Sequence, residues 1–303
     1  MISPSSTRIA TVTLDGMKKV LVLGGSRYFG RGVVERLRDA GLDVTVVNRG
    51  STPAPSGVAH LIADRDDAAG LKAALGSRSF DVVLDQVCYT PVQADIARRV
   101  IRADRYVMTS TIEVYDRVRT HTPMAESLVS RSPVDFELPW HDEDFLEAHY
   151  GDGKRQAEAV FAAGDVPFAS VRVAHVLGGE DFTGRLRHYV ERLDAGEAVA
   201  VHAAPRPSTF IHEREIADFL AWATRADFTG PVNAGSHGEL SAVDLAAAIT
   251  AEPRFRIVER DASPFSFDRY AVLNTSRATD LGFSFSTTTD WLGEAVEEIR
   301  KAA

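Results

Sequence analysis

The sequence has little cysteine, no long apolar run and no excess of basic residues. Of its 303 residues only Cys88 is a cysteine, which excludes an internal disulfide framework and is typical of a reducing compartment. Without a companion thiol, Cys88 is interpreted as a small buried apolar residue and not as a nucleophile. No apolar run reaches the length of a membrane span, so we expect no membrane partner and a cytoplasmic location.

The charge balance is acidic. The chain carries 34 basic and 43 acidic residues, a net charge of −9, which disfavours nonspecific attraction to nucleic acid or anionic lipid. We therefore expect a small-molecule substrate and no nucleic-acid partner. His141 and His149 lie among carboxylates but lack metal-ligand spacing, so no metal site is expected. Residues 1–16 are rich in Ser and Thr without the apolar core of a secretion signal, and are predicted to be a disordered leader without function.

What the sequence does contain is a strand, a glycine turn, a helix and a second strand near its start. Val20–Leu23 is an apolar run that suits a strand buried on both faces, and it ends in Gly24 and Gly25. Helical spacing follows over 28–40, and a second apolar run covers Val44–Val47. Such a unit directs backbone N–H groups and a helix N-terminus at a pyrophosphate.

The glycine loop resembles a G-x-x-G-x-x-G nucleotide loop in which arginine replaces the middle glycine. Gly24 and Gly30 lie six residues apart, with Arg27 between them. A tight turn in another kind of α/β protein is the alternative interpretation of this stretch. The candidate cofactor-binding residues of the loop are Gly24, Gly25, Ser26, Arg27, Tyr28, Phe29 and Gly30.

The end of the second strand bears on which dinucleotide is bound. It carries Asn48 and Arg49 and no carboxylate, and an arginine here accommodates the extra phosphate of NADP. The sequence therefore favours NADP over NAD, although a solvated loop arginine is the alternative. Asp64 follows the third predicted strand and is a candidate for bonding an adenine, or else a turn or helix cap. The further candidate cofactor-binding residues are Arg65, Gln86, Lys154 and Val173.

Strands and helices continue to alternate beyond this unit. Apolar runs at 60–63, 81–87 and 106–109 are predicted strands, and 68–75 and 91–101 have helical spacing. This alternation predicts a parallel, doubly wound sheet with its ligand site at the carboxyl ends of the strands.

A tyrosine and a lysine at the start of a later helix provide the candidate chemistry. Tyr150 and Lys154 are four residues apart, so they share one helix face. We expect the lysine ammonium to lower the phenol pKa from its ordinary value of about 10. The hydroxyl of Thr111 would hold the substrate oxygen whose proton Tyr150 takes, which lets the neighbouring C–H leave as hydride. A chance surface pair is the alternative.

Together these segments resemble the extended or atypical branch of the short-chain dehydrogenase/reductase family, the NAD(P)-dependent epimerase/dehydratase group. The likeness runs from Lys18 nearly to the end of the chain. It is carried by the segments 24–30, 109–115, 150–154, 170–178, 209–212 and 231–235. The resemblance implies a Rossmann-type sheet with a smaller C-terminal lobe, and a catalytic triad of Thr111 (with Ser110 beside it), Tyr150 and Lys154.

Glu113 bears on the type of reaction. Sugar-nucleotide dehydratases of this family carry a motif similar to S-T-D-E-V-Y, whereas this chain has Ile112 at the aspartate position and keeps Glu113. A carboxylate there can remove the proton beside a transient ketone and expel a β-hydroxyl as water. We therefore place dehydration or epimerisation slightly ahead of reduction of a small carbonyl compound. A non-catalytic RNA-binding relative on the same fold is a third hypothesis.

The candidate substrate-binding residues lie after the predicted sixth strand. His175 stands where the resemblance places Asn, and Phe182, Arg185 and Arg206 follow it, although Arg185 also suits the polar face of a helix. They suggest a sugar-like ligand, such as a nucleoside or a nucleotide sugar. We predict a dinucleotide domain of residues 17–178 and 207–238 and a substrate lobe of residues 179–206 and 239–303. The resemblance is also compatible with a homodimer.

Overall fold

A seven-stranded parallel sheet forms the centre of the computed structural model, which describes residues 18–129 and 132–302. The predicted leader, residues 1–16, lies outside these ranges. The spatial order of the strands is β10-β6-β5-β4-β1-β2-β3, and all neighbours are parallel. The strands are β1 (Lys19–Leu23), β2 (Asp43–Asn48), β3 (Ala59–Ile62), β4 (Phe80–Asp85), β5 (Ala103–Thr111), β6 (Phe168–Val173) and β10 (Gly230–Ala234).

The direction in which successive strands are added reverses next to β1. The chain moves from β1 outward to β2 and β3, and then returns to place β4 on the opposite side of β1. The helices that follow β1 and β4 therefore diverge, which opens a crevice at the carboxyl ends of these two strands. The parallel, doubly wound sheet predicted from the alternation is confirmed, and so is the Rossmann-type fold that the resemblance implied.

Helices cover both faces of the sheet. α1 and α7 pack together, and so do α3 and α5, in agreement with a doubly wound arrangement. None of the helices within the described ranges has the length and apolarity to cross a bilayer. The helices are α1 (Tyr28–Asp39), α2 (Ala68–Leu75), α3 (Pro91–Val100), α4 (Glu143–Ala148), α5 (Tyr150–Ala162), α6 (Arg185–Asp194), α7 (Glu213–Arg225), α8 (Ala242–Ile249), α9 (Ser276–Asp280) and α10 (Thr288–Ala302).

Two short parallel pairs lie outside the large sheet. β7 (His175–Leu177) pairs with β9 (Phe210–His212), and β8 (Val199–Val201) pairs with β11 (Phe255–Ile257). The sequence placed residues 207–238 in the dinucleotide domain, but not all of this range returns to the large sheet. Only β10 returns, because β9 binds β7 after the chain has left the edge of β6.

The apolar core has three parts. Two of them cover the opposite faces of the large sheet, one beneath α1 and α7 and the other beneath α2, α3 and α5. The third part joins α6, α8 and α10 around the β8 pair, with Tyr189 fully buried in it. The C-terminal segments thus have an apolar core of their own, next to the crevice.

Candidate active site

The glycine loop after β1 has the backbone that a nucleotide loop requires. Gly24 and Gly25 have φ angles of +87° and +79°, a region that L side chains rarely adopt. A Cβ added to Gly30 would lie only 2.6 Å from Oε1 of Gln86. Neither a capping side chain nor an acidic residue occupies the first turn of α1. Its N–H groups therefore remain available to an anion, and the loop fits a dinucleotide phosphate.

Two side chains of the glycine loop are hydrogen-bonded to residues at the end of β2 and just after it. Arg27 donates from Nε to Oγ1 of Thr52 at 3.1 Å. Asn48 donates from Nδ2 to Oγ of Ser26 at 2.5 Å and to the Thr52 carbonyl at 3.1 Å. Arg49 is exposed at the mouth of the crevice, where it has no carboxylate partner within 18–129 and 132–302. Asn48 thus shapes the loop, and Arg49 remains available to a ligand phosphate.

Two aromatic residues begin α1. Tyr28 has a positive φ of 51°, and its hydroxyl is buried without a hydrogen-bond partner in the described part of the chain. Burial, followed by the charge of Asp181, raises the pKa of this phenol. Its ring contacts Phe29 at 5.2 Å and Phe182 at 6.1 Å between centroids. Phe182 itself is 75% exposed, so the structure places it at the rim beside the glycine loop.

Two other cofactor candidates are occupied by contacts within the protein. Asp64 accepts the backbone N–H of Asp66 in a local turn. Arg65 donates from Nη1 to both carboxylate oxygens of Asp85, at 2.7 and 2.9 Å. Tyr106 donates its hydroxyl to the same carboxylate at 2.5 Å. Burial lowers the pKa of Arg65, but Asp85 together with Cys88 and Tyr106 raises it by more, so this guanidinium is a buried structural cation.

Gln86 and Val173, by contrast, lie at strand ends that border the crevice. Nε2 of Gln86 is buried and has no partner within the described ranges, while its Oε1 faces Gly30. Val173 ends β6 and pairs in register with Thr111 at the end of β5.

Two glycines bring the start of α5 against the segments that follow β5 and β4. A Cβ at Gly151 would lie 2.3 Å from the Glu113 carbonyl oxygen, and one at Gly153 would lie 2.4 Å from that of Tyr89. Only glycine allows such a close approach. Tyr150 is thereby brought beside Thr111, whose hydroxyl also accepts the Glu113 N–H at 3.2 Å.

The pKa of Tyr150 does not move in the direction that the sequence suggested. Desolvation raises it, the neighbouring Tyr89 and Glu113 raise it further, and the Thr111 hydroxyl acts in the opposite direction. Lys154 lies with its Nζ 4.5 Å from the Tyr89 ring centroid and 5.8 Å from that of Tyr150. It donates to the Thr109 carbonyl at 2.8 Å. Burial lowers the pKa of Lys154 from 10.5 to about 8, so its ammonium is a weaker source of positive charge than expected.

Ser110 is engaged elsewhere, in what we call the Glu158 network: Ser110, Tyr115, Glu158, Arg172 and Asn233. Its hydroxyl donates to Oε1 of Glu158 at 2.6 Å, and Arg172 donates to both oxygens of the same carboxylate. Arg172 also donates to the Tyr115 hydroxyl, which donates to Asn233. The structure therefore brings Thr111, and not Ser110, to Tyr150.

Glu113 faces the C-terminal segments. Its Oε2 accepts from Nη2 of Arg269 at 2.7 Å, and its Oε1 lies 3.9 Å from Nε2 of His175. Burial and the charges of two arginines lower the pKa of His175 to about 3, so the imidazole is neutral. The His175 ring stacks on Phe267 at 5.0 Å. We call Glu113, His175 and Arg269 the Glu113 cluster.

The two remaining substrate candidates lie on either side of this cluster. Arg185 donates from Nε to Oγ1 of Thr183 at 2.8 Å, and its guanidinium lies 5.2 Å from the Phe265 ring centroid. Arg206 is exposed, and its backbone N–H donates to the Phe267 carbonyl at 2.8 Å. Arg185 therefore lies against Phe265, and Arg206 is bonded through its backbone to the segment that carries Phe267.

Sequence reasoning did not identify Phe265, Phe267 and Arg269. They lie within five residues of one another, but the segment is a turn and a bend, and Phe265 has a φ of +67°. No helical or strand periodicity in the sequence therefore groups them.

Comparison with known proteins identifies the family. The family model described as "NAD dependent epimerase/dehydratase family" matches residues 20–235. The chloroplast stem-loop binding protein of 41 kDa b from Arabidopsis thaliana is 24% identical over 207 residues, covering 63% of this chain and 50% of that protein. The 2'-dehydrokanamycin reductase of Streptomyces kanamyceticus is 29% identical over 143 residues, covering 46% and 40%. The chain thus spans about half the length, or less, of these curated relatives.

The solved structures of similar fold include nucleotide-sugar epimerases and dehydratases. UDP-glucose 4-epimerase of Thermotoga maritima, solved with UDP-glucose, superposes with a TM-score of 0.73 at 16% identity, covering 94% of this chain and 99% of that one. Other neighbours were solved with NAD. Because the family model matches more than two thirds of the sequence, the chain belongs to the NAD-dependent epimerase/dehydratase family.

Proposed function

We propose that this chain is an NAD(P)-dependent enzyme acting on the sugar part of a nucleoside or nucleotide sugar. It would oxidise one carbinol carbon transiently, then eliminate water or invert a neighbouring centre, and finally return the hydride to the sugar. The observation that carries this proposal is the gathering of Thr111, Tyr150 and Glu113 at the carboxyl end of β5. The UDP-glucose bound by a structural neighbour supports the substrate class.

The dinucleotide would be held by the loop from Gly24 to Gly30, with Gln86 beside it and Arg49 at the far end. A bound nicotinamide supplies a hydride acceptor and, in the return step, a hydride donor. Arg49 supports NADP over NAD, because a guanidinium forms a charge-assisted bond with a phosphate that a carboxylate would repel.

Tyr150 would move the proton of the substrate hydroxyl. The hydroxyl of Thr111 holds the same oxygen, and Tyr150 takes the proton as the carbon becomes a carbonyl. Tyr150 accepts this proton as the phenolate, after its own phenolic proton has passed to solvent. Because burial raises the pKa of Tyr150, the phenol formed in this way is the favoured form, and it returns its proton to the oxygen when the alcohol is restored. Lys154, with its pKa near 8, can exchange a proton close to neutral pH.

Glu113 would act on the carbon next to the carbonyl. A carbonyl acidifies that C–H bond, and a carboxylate can take the proton as the bonding electrons form an enolate. From the enolate, either a β-hydroxyl leaves and is protonated to water, or the proton returns on the other face of the carbon. Dehydration and epimerisation thus share the same step at Glu113.

Two other functions have some support. Reduction of a small carbonyl compound is favoured by the likeness to 2'-dehydrokanamycin reductase, and net loss of NADPH absorbance with a carbonyl substrate would indicate it. RNA binding without catalysis is favoured by the likeness to the chloroplast stem-loop binding protein. Salt-sensitive RNA binding by a chain that retains no dinucleotide would indicate that function.

The test is Glu113→Gln, with the exposed Glu259→Gln as a matched control. We expect the first variant to stop product formation while it still binds NAD(P), and the control to behave like the wild-type chain. Product is identified by mass spectrometry after incubation with UDP-glucose, dTDP-glucose or adenosine. Unchanged turnover in Glu113→Gln would remove this carboxylate from the mechanism.

A further inference from the structure

An ion pair at the crevice joins residues far apart in the sequence. Glu113 follows β5 of the large sheet, and Arg269 belongs to the segment between β11 and α9. Nη2 of Arg269 lies 2.7 Å from Oε2 of Glu113, and the two side chains are 11% and 29% exposed. The pair is thus shielded from water on the arginine side, unlike an ordinary surface ion pair.

The backbone holds the arginine in place from both sides. Before it, the Phe267 carbonyl accepts the Arg206 N–H at 2.8 Å. After it, the Ala271 carbonyl accepts the Thr209 N–H at 3.1 Å. The guanidinium also lies 5.5 Å from the Phe267 ring centroid. Arg269 therefore approaches Glu113 from a fixed point and does not reach it as a free surface side chain would.

The contact leaves one carboxylate oxygen without a partner. Oε1 of Glu113 accepts no hydrogen bond from the residues in 18–129 and 132–302, and Nε2 of His175 is too far from it at 3.9 Å. The second nitrogen of the guanidinium, Nη1, is buried and also lacks a partner in the same ranges, as does Nε2 of His175. One oxygen of the carboxylate is therefore fixed by a hydrogen bond, and the other accepts none, although nitrogens without hydrogen-bond partners are buried nearby.

We propose that Arg269 is a positioning residue for Glu113: it fixes Oε2 and thereby aims Oε1 at the C–H bond beside the substrate carbonyl. This inference rests on the proposed function, because it assigns to Glu113 the proton-removing step described above. A planar guanidinium suits this task, since its geometry fixes a carboxylate in orientation as well as in charge.

The proton-removing step can be measured separately from hydride transfer. Glu113, as a carboxylate, takes the proton from the carbon, and the carboxyl group formed in this way exchanges its proton for deuterium from D2O. The proton leaves the carbon, a deuteron returns to the enolate, and restoration of the alcohol yields a sugar with deuterium next to the oxidised carbon. UDP-glucose, dTDP-glucose and adenosine, each incubated with the enzyme and NAD(P)+ in D2O, are recovered and analysed by mass spectrometry and proton NMR. Formation of reduced nicotinamide is followed in parallel.

The variants are Arg269→Ala, Arg269→Lys and Glu113→Gln, with the exposed Arg260→Gln as a control from the same segment. We expect Arg269→Ala to slow deuterium uptake about 100-fold, as a misplaced catalytic group does. Hydride transfer and dinucleotide affinity should remain unchanged. Added guanidinium ion at millimolar concentration should restore part of the uptake in Arg269→Ala, and Arg269→Lys should lie between alanine and wild type. Such rescue would not repair a merely structural defect.

The outcomes separate the two claims. If the wild-type chain takes up no deuterium from any of the three probes, or if Glu113→Gln takes it up as fast as the wild type, the proposed function is wrong and this inference with it. If Glu113→Gln stops uptake while Arg269→Ala does not slow it, only the role of Arg269 is refuted. Loss of uptake in Arg269→Ala that neither guanidinium nor Arg269→Lys relieves would also refute it.

Discussion

The chain contains two buried charge clusters that differ in how fully they are satisfied. In the Glu158 network, the carboxylate of Glu158 accepts from Ser110 and from two nitrogens of Arg172, and the Tyr115 hydroxyl is bonded on both sides. In the Glu113 cluster, one oxygen of Glu113 accepts a single bond. Nη1 of Arg269 and Nε2 of His175 remain buried without partners in the described part of the chain.

The difference separates a structural role from a functional one. Buried polar groups are nearly always hydrogen-bonded, because an unmade bond costs about 1–3 kcal/mol. The Glu158 network meets this rule and joins three strands of the large sheet, β5, β6 and β10, to the helix α5. The Glu113 cluster departs from it next to Tyr150, where a ligand can supply the missing partners.

The largest expected effect comes from removing one hydroxyl in each region. Tyr150→Phe should lower the rate of hydride transfer by about 10²–10⁴-fold, because a positioned acid–base group contributes that much, while the fold keeps its stability. Tyr115→Phe should have the opposite effect. It should lower the free energy of unfolding by about 1–3 kcal/mol, because Arg172 and Asn233 lose a hydrogen-bond partner, and leave the rate of hydride transfer unchanged. Single-turnover absorbance and urea denaturation measure the two properties. If both variants lowered the rate of hydride transfer equally, the two clusters would not differ in role.

A matched pair of Glu→Gln substitutions is expected to give the next largest effect. Glu158→Gln leaves the buried cation of Arg172 without its counter-charge and should cost about 3–5 kcal/mol of the free energy of unfolding. Glu113→Gln should cost less than Glu158→Gln, because the Glu113 side chain is 29% exposed and makes one ion pair, whereas Glu158 accepts three bonds. Urea denaturation of both variants at neutral pH tests this. A cost at Glu113 as large as that at Glu158 would mean that the Glu113 cluster is structural.

His175 predicts a pH dependence of stability that belongs to the Glu113 cluster. Its pKa is about 3 in the folded chain and near 6.5 when unfolded, so between these values the unfolded state binds more protons. The stability due to neutral burial is therefore complete above pH 6.5 and is lost as the pH falls towards 3. One such group contributes a slope of at most about 1.4 kcal/mol per pH unit. His175→Asn should reduce the slope in this window, and an unchanged slope would contradict the assignment.

The smallest expected effect concerns Arg49, which lies apart from both clusters. Arg49→Glu should weaken NADP+ binding relative to NAD+ by about tenfold, or about 1.4 kcal/mol, because it replaces an attraction to the phosphate with a repulsion. Equilibrium titration with each dinucleotide measures the ratio, with Arg31→Glu on the exposed face of α1 as a control for net charge. An unchanged ratio of the NADP+ and NAD+ affinities would show that Arg49 does not contact the extra phosphate of NADP+.

Much of the fold was predictable because its signals are local. Apolar runs such as Val20–Leu23 identify strands buried on both faces, and the glycines at 24, 25 and 30 identify the turn between β1 and α1. Tyr150 and Lys154 were found because four residues make one helical turn. The bounds of α5 agree, since the helix begins at Tyr150.

What escaped prediction depends on contacts between distant residues. Arg65 carries the charge expected of a phosphate ligand, but it pairs with Asp85 across neighbouring elements, and no local pattern reveals this. Arg269 meets Glu113 across 156 positions of sequence. The raised pKa of Tyr150 likewise results from desolvation, which depends on the packed environment and not on the spacing of two residues.

The central claim is that a substrate alcohol is oxidised transiently beside Tyr150 and then restored. The most direct measurement is stopped-flow absorbance of reduced nicotinamide, with the wild-type chain, NAD(P)+ and each of the three probes in a single turnover. We predict that the signal rises and then falls as the hydride returns, with no net consumption of the dinucleotide at the end. A folded chain that binds the dinucleotide and gives no such rise with any probe would contradict this account.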